Sequence, residues 1–147
     1  MLDAMFHDRA HIFGPDGLNW EVEIDEDGGE RDQFDAAPVH YVIVCDKAHQ
    51  YRGSLRLIPT VSPHMMTDVF GIHDLAGRDT LEMSRLCAHS RDTLDDLVKA
   101  ARAYGVSHGF DRIVALIRPG LTGLVTKRYG GKVLKQIKSG VIVEFRK

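Results

Sequence analysis

The sequence has little of what marks the specialised classes of protein. Two cysteines in 147 residues, Cys45 and Cys87, are too few for a disulfide framework. No apolar run approaches the ~18 residues of a membrane-spanning helix, so no membrane span is expected. The opening residues, 1–13, lack the basic start and apolar centre of a secretory signal. A cytoplasmic location is the expectation that follows. Fourteen glycines and five prolines form no linker, repeat or low-complexity tract. With 44% hydrophobic and 27% charged residues, the disordered, collagenous and coiled-coil classes are excluded. The net charge of −2 supplies no general cationic surface, and no nucleic-acid partner is expected. What remains is a globular chain, residues 1–147, read as a single domain large enough to bury a core without staples.

Periodicity gives the elements. Residues 2–13 space Met5, Phe6, Ile12 and Phe13 as a short amphipathic helix, ended by Gly14-Pro15-Asp16-Gly17. Residues 21–37 are acidic and irregular. The run His40–Cys45 reads as a buried strand, and Tyr51–Ile58 as its antiparallel hairpin partner. A long connection, 59–79, leads to a third strand, Leu81–Ala88. Ser90–Asp92 offers an N-cap for a helix from Thr93 to His108, with Gly109 as its left-handed stop. Arg112–Ile117 is a buried strand, and Pro119 opens a helix to about Tyr129. Lys132–Ile137 and Val141–Arg146 close the chain as short strands. The order implies an α/β (α+β) mixed sheet with helices packed on it. A sheet that begins near His40 exposes an edge, and Val141–Arg146 alternates so that it could pair with a second copy. A homodimer is therefore expected.

Charge is unevenly placed. Residues 1–40 carry 11 Asp/Glu against Arg9 and Arg31, whereas residues 110–147 carry 9 Lys/Arg against Asp111 and Glu144. Such asymmetry fits a cationic ligand at one end and an anionic one at the other, although solvated faces produce it too. Six stretches contain residues that a plain core does not ask for. They are Arg9–Phe13 with Trp20, Asp32–Asp35, Gly53–Leu57, Asp68–Phe70, Leu81–Cys87 and Gly109–Val114. Taken singly each has a bland reading. Phe13, Trp20 and Phe70 suit an ordinary core, Arg56 a surface strand position, and Asp32 and Asp35 a turn. His7 and His11 stand four apart as metal ligands can, but no third ligand is evident and no metal is expected.

As a set, the ordered residues Arg9, Phe13, Trp20, Asp32, Asp35, Arg56, Phe70, Glu82 and Arg85 resemble the acyl-homoserine-lactone synthases, or autoinducer synthases, over roughly residues 6–131. The resemblance implies a GNAT-like acyltransferase fold, three-layer α-β-α with a largely antiparallel central sheet. It also implies a reaction between S-adenosylmethionine and an acyl thioester carried by acyl carrier protein or coenzyme A, both as substrates and with no cofactor. The product is an N-acyl-homoserine lactone, a quorum-sensing signal. Two other classes stay open: a non-catalytic binding or regulatory relic of the family, and a general GNAT-like N-acyltransferase using acyl-coenzyme A.

The residue types suit that chemistry. Asp32 and Asp35 offer neutralisation to the sulfonium and ammonium of S-adenosylmethionine, and Trp20 and Phe13 offer π-faces. Arg9 or Arg56 has the fork for its carboxylate. Phe70 completes the binding set. Glu82 is the candidate base for amine deprotonation, with Asp35 as the holder of an alternative water. Arg85 reads as a strut for a carboxylate. Because Glu82 and Arg85 differ in strand parity, a β-bulge between them is expected. Lys127, Arg128, Lys132, Lys135 and Lys138 are the candidate cations for an acidic carrier protein.

Overall fold

The apolar run His40–Cys45 and the alternating run Tyr51–Pro59 pair antiparallel as strands β1 and β2 in a computed structural model that describes residues 1–36 and 38–147. Ahead of them helix α1 spans Leu2–Phe13, and the acidic segment holds a 3-10 turn at Gln33–Asp35. The long connection after β2 contains a one-turn helix that its sequence does not announce, α2 at Met65–Asp68. It is followed by strand β3 at Thr80–Ala88 and helix α3 at Arg91–Ser107. The Ser90 hydroxyl caps α3 by accepting from the Thr93 N–H, and Gly109 stops it at φ +81°. Strand β4 covers Arg112–Ile117. Pro119–Leu121 form a 3-10 turn, helix α4 covers Thr122–Arg128, and strands β5 and β6 cover Lys132–Ile137 and Gly140–Arg146.

The six strands form one mixed sheet in the order β1-β2-β3-β4-β6-β5. Only β3 and β4 run parallel. Helices α3 and α4 cover one face, where Leu97 and Val125 pack on Leu55, Leu57, Val143 and Phe145, with α1 and α2 on the other. This is the expected three-layer arrangement. One expectation is corrected. Strand β6 lies inside the sheet, paired with β4 on one side and β5 on the other, and so offers no edge to a second copy. Its alternation of Val141, Val143 and Phe145 reflects burial against α3 and α4. The free edges belong to β1 and β5.

Two features of the sheet shape the site. Arg56 of β2 faces Ser84 of β3 while Ser54 faces Cys87, so β3 carries one extra residue, and Arg85 there adopts φ +53°. This is the bulge that the parity of Glu82 and Arg85 requires. The parallel pairing of β3 and β4 also ends at Met83 and Ala115, after which β3 stays with β2 and β4 with β6. The sheet therefore opens between the ends of these two strands. Gly53 holds the near side closed: a Cβ there would lie 2.6 Å from both the Cys87 carbonyl oxygen and the Thr93 methyl group.

Candidate active site

Helix α1 places Arg9 and Phe13 one turn apart on its buried face. Beyond Gly14 the chain folds back, and Trp20 stacks on Phe13 at 4.8 Å between ring centroids and 23° between planes. The acidic segment returns to α1 through the Glu30 N–H, which donates to the Phe6 carbonyl. Its 3-10 turn is closed reciprocally: Asp32 accepts from the Phe34 N–H and Asp35 accepts from the Asp32 N–H. That turn brings two carboxylates of the chain's acidic front over β2 and β3.

There they meet three arginines in a closed ring. Arg9 bonds Glu30 at 3.0 Å and Asp35 at 2.8 Å. Arg85 bonds the same Glu30 at 2.7 Å and Asp32 at 3.0 Å. Arg56 completes the circuit with Asp32 at 2.6 Å and Asp35 at 3.2 Å. Three positive and three negative groups balance, with Arg9, Arg56 and Glu30 at 1%, 0% and 0% exposure. Such charges are tolerable only as a fully paired set, and among the described residues no buried side-chain nitrogen or oxygen lacks a partner. The Tyr41 hydroxyl donates to Asp35 at 2.8 Å. Burial works to raise the Asp35 carboxyl, but bonds from Arg9 and the Asp32 N–H, with the charges of Arg9 and Arg56, hold it well below the usual range. Glu30, Asp32 and Asp35 lie close enough to share a cation, and guanidinium groups are what they share.

The three arginines are not equivalent. Arg9 commits its Nε, Nη1 and Nη2 to Glu30 and Asp35. Arg56 commits its Nε to the Ser84 hydroxyl and both other nitrogens to Asp32. Among the described residues, Arg85 keeps one nitrogen, Nη1, with no closer partner than the Met65 sulfur at 3.9 Å. Arg85 also borders each of four cavities around the site. An acidic one of about 530 Å³ is walled by Glu21, Glu23, Asp25 and Asp32. A second, of about 360 Å³, runs between Trp20, Phe70 and Leu116. A recess of about 90 Å³ holds Glu82 and Ser84. The opening between β3 and β4 is an apolar cleft of about 260 Å³.

Glu82 stands apart from the ring. It is 2% exposed and accepts from the N–H groups of Met65 at 3.0 Å and Met66 at 2.6 Å, the first turn of α2. Burial raises its carboxyl. The two N–H groups and the charges of His64 and Arg56 only partly oppose that shift. The site thus contains two carboxylates pushed in opposite directions, Asp35 down and Glu82 up.

All nine residues named from sequence converge here or on the bordering cavities. The cationic set does not gather in the same way. Lys127 and Arg128 lie on α4, whose Val125 packs on the Val143 and Phe145 face. Lys132 and Lys135 lie on β5 opposite Glu144 and Ile142, which belong to the other face. Arg128 is engaged by Asp95 at 2.6 Å. Cys87 is buried and its thiol is pushed up to about 12 by burial, which leaves it inert. Sequence reasoning missed Glu30, Tyr41 and Ser84. A charge count could have found the first: Arg9, Arg56 and Arg85 buried together need a third carboxylate besides Asp32 and Asp35.

Comparison with known proteins bears on this arrangement. A family model described as autoinducer synthase matches residues 1–144. An acyl-homoserine-lactone synthase of Rhizobium etli is 31% identical over 129 residues, covering 78% of this chain. The chain spans 59% of that relative's length. In structure it is similar to a CoA-dependent acyl-homoserine lactone synthase, BjaI, solved with SAM and isopentyl-CoA, at a TM-score of 0.79 and 21% identity over 97% of this chain and 74% of the other. It is also similar to a putative N-acetyltransferase from Lactobacillus plantarum, at a TM-score of 0.68 and 14% identity over 98% and 89%. The GNAT-like fold expected from the sequence is the fold these structures share.

Proposed function

The chain belongs to the autoinducer synthase family, and from that premise we propose that it makes N-acyl-homoserine lactones from S-adenosylmethionine and an acyl thioester. The observation that carries this reading is the position of Arg85, where the acidic cavity and the apolar cleft both end. One cavity has the charge for a sulfonium and an ammonium, and the other has the surface for a hydrocarbon. Glu82 lies three residues away in the same strand.

The residues divide the work as follows. The acidic cavity, with Asp32 at its wall, receives the cationic substrate, and Trp20, Phe13 and Phe70 supply faces for the adenine and sulfonium. Arg9 and Arg56 hold Asp35 and Asp32 in place, since every one of their side-chain nitrogens already donates to a side-chain oxygen. Arg85 has the uncommitted N–H and receives the substrate carboxylate. Glu82, raised by burial, takes a proton from the α-ammonium directly or through a water. The amine nitrogen then attacks the thioester carbonyl carbon, the carbon–sulfur bond breaks, and the carrier thiol leaves with a proton. In the second step a carboxylate oxygen attacks the γ-carbon of the same molecule, the carbon–sulfonium bond breaks, and methylthioadenosine departs. The exposed Lys127, Lys132 and Lys135 are the cations we assign to an anionic carrier, acyl carrier protein or coenzyme A, with Arg128 shared with Asp95. We place the reaction in the cytoplasm, which two unpaired cysteines support; among the described residues no helix is long and apolar enough to cross a membrane. S-adenosylmethionine and the thioester are substrates, and the reading requires no cofactor.

The test is product analysis. Protein incubated with S-adenosylmethionine and mixed acyl thioesters should release methylthioadenosine and acyl-homoserine lactone together, seen by mass spectrometry. Binding of S-adenosylmethionine without either product would favour the relic. Acylated amines without methylthioadenosine would favour a general N-acyltransferase.

A further inference from the structure

Among the described residues, Glu82 is the buried carboxylate that no arginine or lysine pairs. Glu30 and Asp35 belong to the ring, and Glu144 is held by Arg112 and Arg146, each at 3.3 Å. The ring is neutral, three charges against three, and has no net charge to lend. Glu82 has the Met65 and Met66 N–H groups, which are dipoles and not a charge. A buried carboxyl so placed favours its protonated form, and in that form it takes no proton from an amine. The residue that opens α2, His64, supplies what is missing. It is 3% exposed and has no other part in the reaction. Its Nδ1 meets the Ser62 carbonyl at 2.7 Å, an oxygen that only accepts, so Nδ1 carries a hydrogen. Its Nε2 meets the Thr67 hydroxyl at 2.9 Å. That hydroxyl has one hydrogen, which it donates to the Ile72 carbonyl at 2.9 Å. A lone pair is left facing Nε2, and Nε2 needs a hydrogen to use it. The arrangement that makes all three bonds is therefore an imidazolium. A neutral ring that kept its bond to Thr67 would draw the hydroxyl hydrogen away from Ile72.

Resting on the reading above, we propose that His64 is a positioning residue for Glu82: a buried imidazolium, kept in that form by Ser62 and Thr67, that serves as the counter-charge of the base. It acts twice. Before the reaction it favours the carboxylate. Once Glu82 has taken a proton from the α-ammonium, His64 is left unbalanced, which favours passing that proton to solvent and restores the base. The place is suited to this, because His64 immediately precedes the two N–H groups that hold Glu82, and its charge acts on that carboxylate more than that of Arg56 does. The other charges around Glu82 are committed elsewhere. Arg56 of β2 and Arg85 of β3 bind ring carboxylates, and Arg112 of β4 pairs with Glu144 of β6. Asp68 of α2, and His73, Asp74, Arg78 and Asp79 in the loop beyond it, are exposed.

The test reads both groups in the unliganded protein. Nitrogen NMR of the histidine rings at pH 7, with His64 assigned by its loss in His64→Gln, should show both ring nitrogens protonated. Carbon NMR of the Glu82 carboxyl, assigned by its loss in Glu82→Gln, then follows the base through a pH titration. His64→Gln keeps hydrogen-bonding groups without the charge, and Thr67→Val takes the acceptor from Nε2. In both, Glu82 should bind its proton about tenfold more tightly than in the wild type. Thr67→Ser keeps the hydroxyl and should match the wild type. The acid limb of methylthioadenosine release should move to higher pH by the same factor, whereas a merely loosened turn would lower release alike at every pH. A neutral His64 ring at pH 7, or a Glu82 titration unchanged in both variants, overturns the proposal. A shifted Glu82 titration with an unmoved rate profile, or with no release at all, supports the counter-charge and contradicts Glu82 as the base, which separates the two claims.

Discussion

The two faces of the sheet are buried equally well by opposite means. On the α3 side, Leu57, Leu81 and Leu97 are each 0% exposed and belong to one apolar cluster. Under α1, Arg9, Arg56 and Glu30 are as deeply buried and are held by charge pairing. An apolar core gains from every group that leaves water, and a vacancy costs the missing atoms' contribution plus the cavity they leave, with no charge stranded. A buried ion ring gains little over an apolar replacement, yet loses heavily when one member is removed and its partners remain. The α1 face is therefore the costlier way to fill space, and a site for a charged ligand is a reason to keep it.

That contrast can be broken in order of expected effect. Arg56→Ala leaves three buried carboxylates to two arginines, with Asp32 held by Arg85 alone and Asp35 by Arg9 alone, and should destabilise the fold by about 3–5 kcal/mol in urea titration. Leu97→Ala on the other face should cost about 3 kcal/mol, a cavity without stranded charge. A loss for Arg56→Ala well below that of Leu97→Ala would mean that water reaches the ring freely. Tyr41→Phe removes only the donor to Asp35 and should cost about 1–2 kcal/mol.

The two opposed carboxylates sharpen the comparison by pH. Asp35 is depressed in the fold, so its contribution is present above its ordinary value of 3.8 and is lost as pH falls through the folded value. Glu82 is raised, so its contribution is fully present below 4.5 and is lost as pH rises through its folded value. Stability of the wild type should therefore rise somewhat as pH drops through the folded value of Glu82 toward 4.5, then fall in stronger acid as Asp35 is protonated. In Glu82→Gln the first rise should be absent, as denaturant midpoints across that range would reveal. The smallest effect is at His7, whose ring nitrogens meet the Asp3 and Asp27 carbonyls, both at 2.6 Å. Two carbonyl acceptors call for a ring with both nitrogens protonated, and these bonds raise its titration above 6.5, Asp27 first. Its contribution is present below 6.5 and is lost as pH rises through the folded value, so His7→Gln should flatten a shallow decline in melting temperature above that pH.

How much of this was legible in the sequence depended on which face was being read. Periodicity and β-branched runs placed the strands and α3 within a residue or two, because the α3 face is sorted by a simple apolar rule. Gly109 and Ser90 marked that helix's ends through chemistry local to the chain. The parity of Glu82 and Arg85 announced the bulge, since two functional side chains on one face of a strand need an odd insertion between them. The ring was legible only as an ordered set of residues, and Glu30 escaped because nothing local distinguishes it from the acids around it. Strand β6 was placed at an edge when it lies inside, because alternation reports one buried face and says nothing about which neighbours pair on either side. Helix α2 was invisible for a similar reason. One turn at Met65–Asp68 has no period of its own and forms around the Glu82 carboxylate.

The central claim is that Glu82, three residues along β3 from the Arg85 where the acidic cavity meets the apolar cleft, removes the proton that frees the amine of S-adenosylmethionine. Its most direct test is methylthioadenosine release by Glu82→Gln beside wild type, with S-adenosylmethionine binding measured by calorimetry on the same samples. Release should fall by about 10²–10⁴ while binding changes by no more than about threefold. Near-normal release from a folded variant would contradict the claim and move the base to a water held by Asp35.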